Sequence, residues 1–128
     1  MALILIIDDD NNFRELLAAA VSEMGHDVLT AADGAAGLES AKTYLPHIII
    51  SDIMMPEMDG VELNTHLQLT ENTKGIPVLM LTGNLDKHME VSTRFAAEMS
   101  FEYIVSKSAP LEQITGIVKE MLSRYYQL

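Results

Sequence analysis

The stretch Leu3-Ile-Leu-Ile-Ile-Asp8-Asp9-Asp10 is an unbroken apolar run that ends in three acids. A short apolar run without polar alternation is typical of a strand that is buried on both faces of a parallel sheet. The chain contains further short runs of this kind, rich in Ile, Val and Leu. They predict strands at Leu3 to Ile7, Asp27 to Thr30, His47 to Ile50, Pro77 to Leu81 and Tyr103 to Val105.

Amphipathic stretches separate these strands and have the apolar spacing of helices. Asp33 is a natural N-cap for the second helix, and Pro110 suits the first turn of the last one. The predicted helices lie at Phe13 to Met24, Ala35 to Tyr44, Val61 to Leu69, Leu85 to Met99 and from Pro110 onward.

Strand and helix therefore alternate five times along the chain. Right-handed crossovers then give an α/β fold, with a doubly wound parallel sheet that is covered by helices on both faces. A (β/α)₈ barrel is excluded because it needs about 250 residues. We expect one domain over residues 1–128, with no output domain in the chain. The alternation does not by itself give the order of the strands.

Composition excludes several functions. The chain has 19 acids and 8 bases and a formal net charge of −11, which argues against binding to nucleic acids or to an anionic membrane surface. The absence of cysteine excludes disulfides, thiolate metal sites and cysteine nucleophiles. Apolar runs fall short of the roughly 20 residues of a membrane span, and acids follow the first run too soon for a signal peptide. We therefore expect a soluble cytoplasmic domain.

Polar side chains collect where the predicted strands end. In open parallel sheets, ligands bind beyond the carboxyl ends of the strands. These ends carry Asp8, Asp9 and Asp10 after the first strand, Ser51 and Asp52 after the third, Thr82, Gly83 and Asn84 after the fourth, and Ser106, Lys107 and Ser108 after the fifth.

Carboxylates gathered at one edge of a sheet repel one another, so the site needs raised pKa values or a hard cation. Carboxylate oxygens, a backbone carbonyl and water suit Mg²⁺. A bound Mg²⁺ can position phosphoryl oxygens and leave one carboxylate as the nucleophile. A lysine and a threonine could hold the other phosphoryl oxygens. The chemistry indicated is phosphoryl transfer to an aspartate.

Two segments resemble a known family. The first is Leu3-Ile-Leu-Ile-Ile-Asp8-Asp9-Asp10, and the second is Ser51-Asp52-Ile-Met54-Met-Pro56-Glu-Met-Asp59-Gly60. Together with the later Thr82 and Lys107, they resemble the CheY-like receiver domain of two-component response regulators over nearly the whole chain. The resemblance implies a flavodoxin-like sheet with strand order 2-1-3-4-5, which places the first and third strands side by side.

The resemblance also implies a role for each matching residue. Asp52 would be the phosphoacceptor, and its donor would be a sensor histidine kinase or a histidine phosphotransfer protein. Mg²⁺ would be held by Asp8, Asp9, Asp52 and the backbone carbonyl of Met54. Thr82 and Lys107 would contact the phosphoryl group. Such a domain is not an enzyme in the ordinary sense, although it assists its own phosphorylation and dephosphorylation. Its output surface would comprise the fourth helix, fifth strand and fifth helix, through which a homodimer could also form.

The chain departs from the family pattern at two positions. Receivers usually have proline directly after the lysine, joined by a cis peptide, whereas Ser108 follows Lys107 here. A cis bond before a non-proline residue costs about 2.5–4 kcal/mol, so we expect either a trans bond with a shifted loop or a strained cis bond. Ile104 replaces the usual aromatic residue of the switch, and Tyr103 should face the opposite side of the sheet.

Other interpretations remain open. Asp8 and Asp9 could merely cap the first helix, Thr82 could bond its local backbone, and Lys107 could be a solvated lysine. A Mg²⁺-dependent phosphohydrolase would need a second carboxylate two residues after Asp52, where Met54 stands, and a substrate-selecting cap. A pseudo-receiver that binds partners without phosphorylation is another possibility. The histidines show no ligand spacing and are expected at the surface, at positions His26, His47, His66 and His88.

Overall fold

The computed structural model describes residues 1–83 and 103–128. These residues contain a parallel sheet of five strands in the order β2-β1-β3-β4-β5. The predicted doubly wound fold and strand order are confirmed. The strands are β1 (Leu3–Ile7), β2 (Asp27–Ala31), β3 (Ile48–Asp52), β4 (Val78–Thr82) and β5 (Tyr103–Ser106).

Helices cover both faces of this sheet. In the described part of the chain they are α1 (Asn11–Glu23), α2 (Gly34–Tyr44), α3 (Gly60–Leu69) and the C-terminal helix α4 (Leu111–Tyr126). One core lies between the sheet and helices α1 and α4, with Leu17 and Val118 among its buried residues. The other lies between the sheet and helices α2 and α3, with Leu38 and Leu63 among them. The predicted helix at Leu85 to Met99 lies outside the described residues.

Aspartates begin three of the helices by accepting hydrogen bonds from backbone N–H groups. Asp10 caps α1, Asp33 caps α2 and Asp59 caps α3. Pro110 stands at the N-cap of α4, one position before the first turn in which the sequence placed it. Proline is tolerated at this position as well, because the residue there needs no N–H donor.

The strands extend further toward their carboxyl ends than the apolar runs indicate. β3 includes Ser51 and Asp52, β4 ends at Thr82, and β5 ends at Ser106. The ladder continues because it joins backbone groups, pairing Asp52 with Leu81 and Thr82 with Ser106. These four polar residues therefore belong to the strands, whereas Asp8, Asp9 and Lys107 follow the strand ends.

Two histidines hold the opposite end of β1. The N–H groups of Ala2 and Leu3 donate to the Nδ1 atoms of His26 and His47, at 3.1 and 3.0 Å. The hydroxyl of Tyr126 donates to the carbonyl of His47 at 2.7 Å, which fastens α4 to the start of β3. The expectation of a surface role is therefore wrong for these two half-buried histidines, since they accept hydrogen bonds from the backbone. His66 is exposed, and His88 lies outside the described residues.

Gly60 brings the first turn of α3 against the end of β3. Its N–H donates to the carbonyl of Ile53 at 2.8 Å. A Cβ atom at this position would lie 2.5 Å from the carbonyl oxygen of Asp52 and 3.0 Å from the Cα of Ile53. Only glycine allows this approach, because both neighbours are backbone atoms.

We predict that Gly60→Ala lowers the free energy of unfolding by about 1–3 kcal/mol, because the added methyl group must displace backbone. Urea denaturation measures the change. Gly116→Ala is the matched control, because Gly116 lies inside α4 and a Cβ atom there would meet nothing within 4 Å. The control should raise stability by about 0.5–1 kcal/mol through helix propensity. Equal effects at the two positions would contradict this account of Gly60.

Candidate functional site

The pairing of β1 with β3 brings two buried carboxylates together. Ile7 lies opposite Ser51 in the ladder, so the next residues, Asp8 and Asp52, meet at the carboxyl edge of the sheet. Asp8 is fully buried and Asp52 is 5% exposed, whereas Asp9 is exposed. The predicted acids therefore lie at one edge, two of them with little hydration of their own.

These acids form a group that could hold a metal ion. Carboxylate oxygens of Asp8, Asp9 and Asp52 all lie within 4.8 Å of one another. An octahedral Mg²⁺ with bonds of about 2.1 Å has opposite ligands roughly 4.2 Å apart, so the spacing is of the right size. The Oδ2 atom of Asp8 is buried, and it lies 2.8 Å from the ammonium of Lys107. Hard, negatively charged oxygen donors of this kind fit Mg²⁺.

Lys107 provides the positive charge at this group. Its Nζ atom donates to Oδ1 of Asp8 at 3.1 Å and lies 2.8 Å from Oδ2 of the same carboxylate. It lies 3.5 Å from Oδ2 of Asp52. The ammonium is therefore shared by both acids and is closer to Asp8, so Lys107 is not a solvated strand-end lysine.

The surroundings of Asp52 destabilise the ionised form of its carboxyl group. Burial and then the negative charge of Asp8, with a smaller contribution from Asp9, raise the pKa of Asp52 to about 6. The ammonium of Lys107 and the backbone N–H of Met54 offset part of this increase. At neutral pH Asp52 is therefore mainly ionised and only weakly stabilised, which suits a nucleophile.

The pKa of Lys107 is raised. Burial acts to lower it, but the hydrogen bond to Asp8 and the charges of Asp52, Asp8 and Asp10 together outweigh burial. The ammonium therefore stays charged, as a group that holds anions must.

A turn, and not a proline, places Lys107. The described residues contain no cis peptide, so Lys107 is joined to Ser108 by a trans bond. The N–H of Lys107 donates to the carbonyl of Thr82 at 2.9 Å, which extends the pairing of β4 and β5. The N–H groups of Ser108 and Ala109 then donate to the hydroxyl and carbonyl of Ser106, both at 3.0 Å. The chain adopts the trans alternative, and Lys107 still reaches the acids.

The other predicted residues surround this group. Thr82 is fully buried at the end of β4. The side chain of Met54 is exposed, although its N–H contacts the Asp52 carboxylate. A Cβ atom at Gly83 would meet none of the described residues within 4 Å. Asn84 lies outside the described residues.

Tyr103 and Ile104 are neighbours in β5 and therefore point to opposite faces of the sheet. Tyr103 packs against the core of α1 and α4, and its hydroxyl accepts a hydrogen bond from Arg124 at 3.1 Å. Ile104 pairs with Met80 and therefore points to the other face of the sheet. Tyr103 is thus committed to the face opposite the one that the family's switch residue uses.

Helix capping does not account for the acids. Asp10 is the cap of α1, whereas Asp8 accepts the N–H of Asp10 at 2.9 Å.

Sequence reasoning missed Arg14, whose Nη1 donates to the carbonyl of Asp8 at 2.7 Å. The available signal was an arginine in the first turn of a helix that follows a strand end, where a carbonyl needs a donor. Sequence reasoning also missed the contact between Lys107 and Phe13.

No helix in residues 1–83 or 103–128 is long and apolar enough to cross a bilayer.

Comparison with known proteins places the chain among signalling domains. A family model described as the response regulator receiver domain matches residues 4–119. The chain is 32% identical over 121 residues to the alkaline phosphatase synthesis transcriptional regulatory protein PhoP of Bacillus subtilis, a match that covers 94% of this chain and 48% of that protein. It is 35% identical over 123 residues to the probable transcriptional regulator ycf27 of Porphyridium aerugineum, with the same coverage of 94% and 48%. The chain spans about half the length of these relatives.

Solved structures agree with this placement. The chemotaxis protein CheY4 of Vibrio cholerae superposes with a TM-score of 0.86 at 27% identity, over 95% of this chain and 99% of that one. The receiver domain of a histidine kinase from Syntrophus aciditrophicus gives a TM-score of 0.87 at 27% identity, over 100% and 95%. The chain therefore belongs to the response regulator receiver domains, the phosphoacceptor signalling domains that take a phosphoryl group from histidine kinases.

Proposed function

We propose that Asp52 accepts a phosphoryl group from a phosphohistidine donor in a Mg²⁺-dependent reaction. One observation supports this most strongly: three carboxylates lie within 4.8 Å of one another, and the ammonium of Lys107 stands 2.8 and 3.5 Å from two of them. The donor would be a sensor histidine kinase or a histidine phosphotransfer protein.

In this reaction a carboxylate oxygen of Asp52 forms a bond to phosphorus while the phosphorus–nitrogen bond of the donor breaks. The imidazole nitrogen keeps the electron pair of that bond. Lys107 and Thr82 hold the phosphoryl oxygens, because both lie at the open edge that Asp52 faces. The same residues would assist later hydrolysis of the aspartyl phosphate.

The metal site of this proposal comprises Asp8, Asp9 and Asp52 with the carbonyl of Met54. Bound Mg²⁺ would neutralise charge on the acids and the phosphoryl group. Asp8 is kept in place by the Asp10 N–H and by Arg14 on its carbonyl. The protein thus fixes a metal-binding carboxylate before any ion arrives.

Phosphorylation would change the surface of the fourth predicted helix, β5 and α4, through which a homodimer could also form. Added charge biases an existing equilibrium between two conformations. The fourth predicted helix lies outside the described residues, and Ile104 stands where an aromatic switch would be. We therefore expect the switch to act through Thr82 without an inward-moving aromatic ring at position 104. The domain would work in the cytoplasm.

Acetyl phosphate with Mg²⁺ should add one phosphoryl mass to the protein, and Asp52→Asn should abolish the addition because the amide is no nucleophile. Intact-mass spectrometry measures the result. Asp33→Asn is the matched control, since it removes an exposed carboxylate but keeps an N-cap acceptor on α2. Labelling of Asp52→Asn at the rate of the control would refute the assignment of the phosphoacceptor.

Mg²⁺ should raise the melting temperature of the wild type, because it binds the folded site and not the unfolded chain. At 100 times the dissociation constant the gain is about 2.7 kcal/mol. Asp9→Ala should lose most of this shift and leave metal-free stability within about 0.5 kcal/mol, since Asp9 is exposed. Glu15→Gln, an exposed acid of α1, should keep the shift. A full shift in Asp9→Ala would remove Asp9 from the metal site.

Asp52→Asn should also stabilise the metal-free protein at pH 8. The pKa of Asp52 is raised to about 6 from an unfolded value of 3.8, mainly by burial and Asp8. The folded protein therefore binds this proton more tightly than the unfolded chain does. The stability that protonated Asp52 contributes is fully present below pH 4 and is lost as pH rises through 6. Removing the charge should add about 1–3 kcal/mol at pH 8 and nothing near pH 4. Urea denaturation in EDTA across this range tests it, and a gap that does not change with pH would count against the buried charge.

A further inference from the structure

Phe13 contacts the ammonium of Lys107 through the face of its ring. Nζ lies 4.7 Å from the ring centroid, within the range of a cation–π attraction. Phe13 stands in the first turn of α1, partly buried against the core beneath the acids. The Lys107 side chain is only 16% exposed, so little water screens this contact.

The ammonium that the ring contacts lies closer to one carboxylate than to the other. Nζ is 2.8 and 3.1 Å from the oxygens of Asp8 and 3.5 Å from Asp52. Lys107 thus contacts the carboxylate that the proposed metal site requires. A divalent cation on Asp8 would stand within a few ångströms of the ammonium and repel it.

We propose that Phe13 is a positioning residue that lowers the affinity of the site for divalent cations by holding the Lys107 ammonium on Asp8. This inference rests on the proposed metal site. When the cation binds, Lys107 leaves both Asp8 and the ring and becomes available to phosphoryl oxygens. The free energy of the ring contact therefore opposes metal binding. It also sets how readily the lysine is released.

Phe13 could also serve only in apolar packing. Variants that keep or remove the aromatic ring distinguish this role from the cation–π contact with Lys107. Phe13→Leu keeps an apolar side chain in the core but removes the π face. Phe13→Tyr keeps the face and should behave as the wild type does. Phe13→Met provides a second ring-free variant in case leucine packs poorly at this position.

The first experiment is a calorimetric titration of the full chain with Mg²⁺. Phe13→Leu and Phe13→Met should bind Mg²⁺ about two- to fivefold more tightly than the wild type, which corresponds to the loss of one modest cation–π contact. Phe13→Tyr should stay close to the wild type. In a Lys107→Gln background, Phe13→Leu should change nothing, because the ring then has no ammonium to hold.

The second experiment needs no variant. In metal-free protein, the ring should shift the NMR signals of the Lys107 Cε protons upfield, and Mg²⁺ should return them downfield as the lysine leaves. Equal Mg²⁺ affinities in the wild type and both ring-free variants, or a Phe13→Leu effect that persists without Lys107, would overturn the inference and leave the metal site standing. A wild type that does not bind Mg²⁺ would overturn the metal site and this inference together.

Discussion

The repulsion between Asp8 and Asp52 is the constraint on which the site depends. Neighbouring strands fix both carboxylates at one edge, and burial prevents water from screening them. With Asp9, three carboxylates of the described residues face the ammonium of Lys107, and these four side chains together carry a charge of −2 when all are ionised. One divalent cation cancels this charge. This arrangement of acids would be receptive to a cation and a phosphoryl group.

The scaffold holds this unfavourable arrangement by backbone pairing. The pairing of β4 with β5 continues to the N–H of Lys107 on the carbonyl of Thr82. The ladder thus fixes the backbone position of Lys107. A turn that is hydrogen-bonded to Ser106 follows the lysine here, at the place where receivers usually have proline. Gly60 lets the first turn of α3 pack closely against the backbone at the end of β3. The paired strands hold Asp8 and Asp52 side by side at the edge of the sheet.

Much of this could be predicted from the sequence, for reasons that particular residues make clear. Unbroken runs such as Leu3–Ile7 indicate buried strands, and the polar residues that follow them must then meet at one edge. The opposite orientations of Tyr103 and Ile104 follow from alternation along β5. The contact of Phe13 with Lys107 was missed because a core phenylalanine and a cation-binding one have the same helical spacing. The bonds from His26 and His47 to β1 join residues distant in sequence, which no local pattern reveals.

His26 and Asp52 give the two ends of β1 opposite responses to acid. Acid relieves the carboxyl end, because a proton on Asp52 removes a buried charge. Acid loosens the amino end, because a His26 imidazole that is protonated at Nδ1 cannot accept the N–H of Ala2. The pKa of His26 is lowered by burial, by the terminal ammonium and by His47, so the unfolded chain takes the proton more readily there. Mild acidification thus removes charge repulsion beyond the carboxyl end of β1 and weakens a hydrogen bond at the amino end of the same strand.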